Sequence, residues 1–424
     1  MTQHPAQQLI QPGAQPPPAP PAAPPAAPPA VPPAPPARPA APRLPAPDLD
    51  ALPAVTAALA AHAEEHDREA SFPYRGIEAV HRAGLLTATV GARSGGPGGR
   101  LADTVRILGA LGAGDPAVAL VTAMTLFTHA AEARTPYWPA EVYAELVAES
   151  AERATLVNAL RVEPDLGTPV RGGLPATVAR RRGDHWELTG RKIFSTGAEA
   201  LRWMLVWART DEPEPRVGSF LVRSDAAGLT VERTWNHLGL RASRSDDVLL
   251  DAVRVPQGHV AGLARPGADG GRDSVAGAWN SLGLTALYLG VARTALEWLT
   301  GFLHERVPTA LGAPLASLPR FQNAVGEIEV TLDGAERLVT ALAQAVDAGE
   351  PAAAEQSAGA KVLGTRAAIG AVEQAVALIG NNGLTYDNPL QRHLRNVLCS
   401  RIHTPQDDTV LLAAGQRALL RTRP

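Results

Sequence analysis

Two short stretches of the sequence carry side chains whose types and spacing could do chemistry. Near the C-terminus, RIHTPQDD places His403 next to Thr404. An imidazole can donate or accept a proton near neutral pH, although a histidine here could also be a hydrogen-bonded capping residue. Further upstream, KIFSTG sets the ring of Phe194 two residues before the hydroxyl of Thr196. On a β-strand both side chains would project from the same face, either as part of a site or as an ordinary strand face.

Other polar residues leave their roles open. His129 in TLFTHAAEA is as well explained as a surface or core histidine as by a place in a pocket. Gly380 and Gly383 in GNNG could present backbone amides to a phosphate, or form a turn between two helices. A single cysteine, Cys399, excludes an intramolecular disulfide framework and a cysteine metal cluster, so we expect a cytoplasmic protein without a metal.

Composition and charge narrow the classes of partner. The chain has 424 residues, is 45% hydrophobic and carries a formal net charge of −3, which gives no electrostatic argument for nucleic acid or a membrane surface. The longest uncharged apolar run, AVALVTAMTLF, is shorter than the roughly 20 residues that span a bilayer. We therefore expect a soluble protein that acts on a small molecule.

Changes in periodicity divide the chain into four parts. Residues 1–47 are almost wholly Pro and Ala, which is typical of a disordered arm. Apolar residues at helical spacing predict a helical domain over 48–154. Alternating β-branched segments predict a β-domain over 155–265, and long amphipathic stretches predict an antiparallel helical bundle over 266–424.

Several segments, in this order, resemble the acyl-CoA dehydrogenase superfamily: VEPDLGT, LTGRKIFSTGA, LGLRASRSDDVLLDAVRVP, LGVARTALE and GNNGLTYDNPLQRHLRN. The resemblance implies an α+β fold with an N-terminal helical domain, a small middle β-barrel domain and a C-terminal antiparallel four-helix bundle. It also implies a flavin cofactor and a homotetramer.

The resemblance assigns flavin contacts to particular residues. Phe194 and Thr196 match the family's aromatic and hydroxyl residues beside the flavin ring, and Thr168 matches the hydroxyl beside the ribityl phosphate. A flavin ring needs an apolar wall and polar donors at its edge, which these side chains would supply.

For the adenine half of FAD, the resemblance matches Arg306 and Gly380 to family residues, and Gly383 is a further candidate for binding the cofactor. Here Ala377 replaces the family's glutamine and Asn381 replaces a glycine. These two departures weaken the case for FAD, which stays the expected flavin, and make FMN the alternative.

The dehydrogenases of this family remove a substrate proton with a glutamate, and the corresponding position here is Thr404. Some relatives carry the glutamate on an earlier helix, where this chain has Asn280. Neither side chain can deprotonate a thioester near pH 7. A histidine at the place of His403 instead resembles the flavin-dependent monooxygenases of the same fold, which take reduced flavin from a separate reductase and use a pocket histidine with a Ser or Thr. Their residues match His403 and Thr196, and His129 lies where they place a second histidine.

Three functional hypotheses remain. The leading one is a flavin-dependent oxidoreductase that oxygenates a small organic molecule. The second is an acyl-CoA dehydrogenase whose base has moved, with Asp407 and Asp408 as possible bases. The third is a non-catalytic protein that binds a flavin or an acyl-CoA.

Overall fold

The first third of the fold is helical. The computed structural model describes residues 43–166, 173–267 and 273–420. Its N-terminal helices are α1 (Leu52–Glu69), α2 (Tyr74–Arg82), α3 (Leu101–Gly114), α4 (Pro116–Arg134) and α5 (Ala140–Glu152). Asp115 separates α3 from α4, because its carboxylate accepts a hydrogen bond from the Ala117 amide at 2.8 Å and so begins α4, with Pro116 in the first turn.

One sheet forms the middle of the molecule. Its strands are β1 (Leu156–Leu160), β2 (Val178–Arg182), β3 (His185–Lys192), β4 (Leu201–Thr210), β5 (Val217–Arg223), β6 (Leu229–Glu232), β7 (Asp247–Pro256) and β8 (Val260–Ala264). The hydrogen-bonded order is β6-β7-β3-β2-β4-β5-β8, and β1 pairs with β4 in parallel. Gly183, at a φ of +58°, makes the two-residue turn between β2 and β3.

The C-terminal part is a helical bundle. It contains α6 (Ser274–Glu305), α7 (Pro319–Asp347), α8 (Pro351–Leu378), α9 (Leu390–Leu398) and α10 (Asp407–Leu420). By length and composition α6 could cross a membrane, but 78% of its most apolar window is buried, as in the core helix of a folded domain. It packs against α3, α4, α7, α8 and α9. The α+β fold with helical, sheet and helical parts is the predicted one and is confirmed.

Glycines bring α3 and α6 into close contact. A β-carbon on Gly112 would overlap the carbonyl oxygen of Leu287, and one on Gly290 would overlap the carbonyl oxygen of Gly109. Only glycine permits this approach of two backbones. The close contact fixes the axial position of α6 on both sides of Tyr288.

Candidate active site

The expectation that Phe194 and Thr196 share one face of a strand is wrong. Strand β3 ends at Lys192, and the next residues form a loop. Phe194 has a φ of +55° and is 58% exposed as a residue, whereas Thr196 is only 9% exposed. The loop bends because the Ser195 amide donates to the Asp246 carbonyl oxygen at 3.2 Å. A bulky residue with positive φ is strained, and such strain collects at functional sites.

The Thr196 side chain belongs to a chain of hydroxyls. Its oxygen Oγ1 accepts a hydrogen bond from Ser245 Oγ at 3.1 Å, and Ser245 Oγ lies 2.8 Å from Ser243 Oγ. The Thr196 carbonyl oxygen also accepts from Asn158 Nδ2 at 3.0 Å. Thr196 is therefore held on two sides.

A buried ion pair lies where this loop leaves the sheet. Lys192 Nζ is 2.6 Å from Glu163 Oε1, and both side chains are almost fully buried. Glu163 also accepts from the Thr177 amide and hydroxyl at 3.0 and 2.6 Å. Burial alone would raise the pKa of Glu163, but the hydrogen bonds from Lys192 and Thr177 outweigh it and hold the pKa below its usual value. Thr168, the residue expected beside the ribityl phosphate of the flavin, lies outside the described residues.

Asp246 organises the segment opposite Phe194. Its carboxylate accepts from the Thr234 and Trp235 amides at 2.9 and 2.8 Å and pairs with Arg244 at 2.8 Å. Trp235 consequently meets the ring of Phe194 edge-on, with centroids 6.3 Å apart. The other side of Trp235 stacks on His237 at 4.3 Å. The rings of Phe194, Trp235 and His237 thus form a row that runs from the loop after β3 toward the C-terminal helices.

Helix α9 is docked on the same segment by its Arg-Asn pair. Asn396 Oδ1 accepts from the Leu240 amide at 2.8 Å. Arg395 donates to the Leu238 carbonyl oxygen at 2.9 Å and pairs with Asp67 at 2.5 Å. These contacts place His237 beside Cys399, with Nδ1 3.9 Å from Sγ, one turn before His403.

His403 forms a pair with a tyrosine that sequence reasoning missed. Its Nε2 is 2.6 Å from the Tyr288 hydroxyl. Burial, with the positive charge of Lys361 and the nearby His237, lowers the pKa of His403 to about 4. Burial also raises the pKa of Tyr288 well above its ordinary value. At neutral pH both groups are therefore uncharged. The one available signal was a tyrosine hydroxyl inside the otherwise apolar stretch LTALYLGV of α6.

The two positions at which the family can carry its base meet in space. Asn280 Nδ2 donates to the Thr404 carbonyl oxygen at 2.5 Å, so the two residues share one location and neither supplies a carboxylate. Of the alternative bases, Asp407 lies 3.1 Å from Lys361 and 3.5 Å from Arg366, and Asp408 is exposed at the start of α10. The Asp407 carboxylate is therefore held in ion pairs with two side chains of α8.

The structure places His129 in the core. It is fully buried, and its Nδ1 lies 2.9 Å from the Tyr143 hydroxyl, in a cluster of rings that includes Trp138. Burial lowers its pKa to about 4. Its other nitrogen, Nε2, has no hydrogen-bond partner among the described residues. Phe194, Trp235, His237 and His403 belong to a different set of contacts.

The residues expected to bind the adenine half of FAD lie at helix ends. Gly380 and Gly383 belong to a 3-10 turn, Gly380–Leu384, between α8 and α9. Gly380 has a φ of +58°, a backbone conformation that favours glycine, and a β-carbon on Gly383 would overlap the Val376 carbonyl oxygen. The local backbone therefore accounts for a glycine at both positions. Arg306 is exposed at the C-terminal end of α6.

The donor set fits a flavin ring. Phe194 offers an exposed aromatic face, and the Thr196 hydroxyl follows on the same loop. Ser195 Oγ between them is buried without a partner among the described residues, which is costly unless a ligand or water satisfies it. Apolar surface beside a few fixed polar groups is the usual character of a cofactor site.

The fold and these residues together define a flavoprotein of the acyl-CoA dehydrogenase type. Family models match the acyl-CoA dehydrogenase N-terminal domain at residues 53–133, the middle domain at 161–253 and the C-terminal domain at 282–407. The chain belongs to the acyl-CoA dehydrogenase family, whose members are flavin-dependent oxidoreductases.

Individual relatives carry different names and bound ligands. YdbM of Bacillus subtilis (strain 168), provisionally named an acyl-CoA dehydrogenase, is 31% identical over 351 residues, covering 82% of this chain and 90% of the relative. The structure of KijD3 with FMN and dTDP-3-amino-2,3,6-trideoxy-4-keto-3-methyl-D-glucose is 26% identical at a TM-score of 0.75, covering 88% of this chain and 93% of the other. FMN-bound TdsC from Paenibacillus sp. A11-2, at 22% identity, TM-score 0.79 and coverage of 89% and 98%, shows the fold alone.

Proposed function

We propose that this protein is a flavin-dependent monooxygenase that uses reduced flavin and oxygen on a small organic substrate. The observation that carries the proposal is the contact between Asn280 and Thr404. These are the two positions from which the family's carboxylate base acts, and the chain supplies an amide and a hydroxyl there. Neither can remove the proton next to a thioester carbonyl near pH 7.

In this proposal His403 works as a neutral group. Tyr288 keeps its proton, so its hydroxyl donates to Nε2 of His403, and the imidazole proton then sits on Nδ1. The neutral Nδ1–H can donate a hydrogen bond to an oxygen atom without bringing a fixed charge into the site.

The cofactor supplies the electrons and the reaction with oxygen, and the chain positions it. Phe194 would supply an apolar wall for the flavin ring, and Thr196 would supply a hydroxyl. FMN is favoured over FAD, because KijD3 is described with FMN and because Ala377 and Asn381 replace the expected FAD-binding residues. Equilibrium dialysis against FMN and FAD, each oxidised and reduced, tests this preference.

The proposal includes a separate reductase that supplies reduced flavin. It also includes assembly of this chain into a homotetramer. In support of assembly, Val410 is the only buried residue of α10, whereas Leu411, Leu412, Leu419 and Leu420 are exposed. A helix with such an apolar exposed surface is typical of subunit interfaces. Light scattering on the purified protein measures the assembly directly.

An acyl-CoA dehydrogenase is the second candidate, favoured by the similarity to YdbM. The pairing of Asp407 with Lys361 and Arg366 speaks against a base that has moved to this position.

Anaerobic mixing of the oxidised flavin-loaded protein with a panel of acyl-CoA thioesters separates the two candidates. The monooxygenase proposal predicts that the visible absorbance band of the oxidised flavin persists. Bleaching by the wild type that is lost in Asp407→Asn would establish the dehydrogenase instead. A protein that binds no flavin in either redox state would contradict both.

A further inference from the structure

The row of hydroxyls behind Thr196, formed by Ser245 and Ser243, has a defined direction. Ser245 Oγ donates to Thr196 Oγ1 at 3.1 Å. A hydroxyl has one proton, so Ser245, having given its own to Thr196, must accept from Ser243 at 2.8 Å. The three groups are therefore polarised one way, from Ser243 through Ser245 to Thr196.

The backbone keeps this row in place. Arg244, between the two serines, has a φ of +43°, and this left-handed residue bends the chain so that both hydroxyls lie together. The amides of Gly197 and Ala198 donate to the carbonyl oxygens of Ser243 and Arg244 at 2.9 and 3.2 Å. All three hydroxyl side chains are buried, so water does not compete with the contacts.

The consequence concerns the proton of Thr196. Because Thr196 Oγ1 accepts from Ser245, its own O–H is directed away from the serines. No acceptor for this O–H is present among the described residues. The exposed residue Phe194 lies two positions earlier on the same loop. A hydroxyl that accepts one hydrogen bond also becomes a better donor of the next.

We propose that Ser245, supported by Ser243, is a positioning residue that fixes the Thr196 hydroxyl as a hydrogen-bond donor toward the flavin. The inference rests on the part of the proposed function that puts a flavin at this loop, and it is independent of whether the flavin reacts with oxygen or with an acyl-CoA.

The test is a double-mutant cycle on flavin binding, with the dissociation constant measured by flavin fluorescence. Ser245→Ala should weaken binding about 5-fold, the loss of one ordinary hydrogen bond. In a Thr196→Val background the same substitution should change the dissociation constant less than about 2-fold, because its target is gone. Ser245→Thr, which keeps the hydroxyl, should restore binding.

Controls separate positioning from folding. Ser357→Ala removes another buried serine hydroxyl, one bonded within its own helix to the Ala353 carbonyl oxygen, and should leave flavin binding unchanged. Thermal unfolding of the flavin-free variants reports stability. An equal effect of Ser245→Ala with and without Thr196 would overturn the positioning role, as would wild-type affinity in Ser245→Ala. A wild-type protein that binds no flavin would overturn the flavin site itself and this inference with it.

Discussion

The N-terminal and C-terminal helices each contain a histidine hydrogen-bonded to a tyrosine. His129 lies 2.9 Å from Tyr143, and His403 lies 2.6 Å from Tyr288. Burial is the main reason that each histidine has a pKa lowered to about 4. Local chemistry therefore does not distinguish the two pairs.

The surroundings of the two histidine–tyrosine pairs do distinguish them. His129 is sealed among aromatic rings with no solvent exposure, whereas His403 is half-buried and precedes Thr404, which meets Asn280. His403 also has His237 nearby, which belongs to the row of rings that begins at Phe194. The comparison shows that access and neighbouring elements, more than the pKa of the group, decide which histidine can meet a substrate.

The largest expected difference is in turnover. His403→Ala should lower kcat by about 10²- to 10³-fold, the usual loss when one positioned hydrogen-bond donor is removed. His129→Leu should leave kcat within about 3-fold when activity is expressed per folded molecule, since a core change acts through stability. The assay is oxygen-dependent conversion of a small organic substrate found by screening. Comparable losses in both variants would contradict the division of roles.

The next difference is in stability. His129→Leu leaves the Tyr143 hydroxyl buried without a partner and should lower the free energy of unfolding by about 1–3 kcal/mol. Adding Tyr143→Phe should recover most of this loss, because removing both partners is nearly neutral. Urea denaturation of the single and double variants measures it. If the double variant were as unstable as the sum of its parts, the hydrogen bond would not be the cause.

Acid should destabilise the protein partly through His129. Its pKa is lowered from 6.5 to about 4, so below pH 6.5 the unfolded chain binds a proton that the folded protein does not. Stability therefore falls as pH drops from 6.5 toward 4, by about 2 kcal/mol between pH 7.5 and pH 5. Urea denaturation at these two pH values should show a loss smaller by this amount in His129→Leu. An unchanged pH dependence would mean that His129 is protonated in the folded protein.

The smallest effect should come from the tyrosines. Tyr288→Phe removes the donor to Nε2 of His403 and should lower kcat about 5-fold, the value of one hydrogen bond. Tyr143→Phe is the matched control and should not change kcat. Steady-state kinetics on the two variants makes the comparison, and an effect of Tyr143→Phe as large as that of Tyr288→Phe would remove the distinction.

Much of the fold was predictable, because helical and alternating periodicities extend over long segments and the family's motifs occur in order. The lack of a carboxylate at Asn280 and Thr404 was also predictable, since each position follows from its place relative to a motif. The role of His403 stays a prediction. The contact between Asn280 and Thr404 joins residues 124 apart, which no local pattern reveals.

The errors and omissions have physical causes. Phe194 was expected on a strand, but tertiary hydrogen bonds from the segment around Asp246 impose a left-handed backbone there. Tyr288 was missed because a tyrosine in an apolar helix usually belongs to the core. His129 stayed open because burial depends on packing between helices that are distant in sequence.

Stopped-flow absorbance after mixing the reduced flavin-loaded protein with oxygen tests the role of His403 most directly. We predict a transient absorbance band that belongs to neither oxidised nor reduced flavin. The wild type and His129→Leu should both show this band. In His403→Ala the band should be absent or should decay much faster. Single-step reoxidation with no transient in the wild type, together with anaerobic bleaching by an acyl-CoA, would contradict the oxygenase proposal.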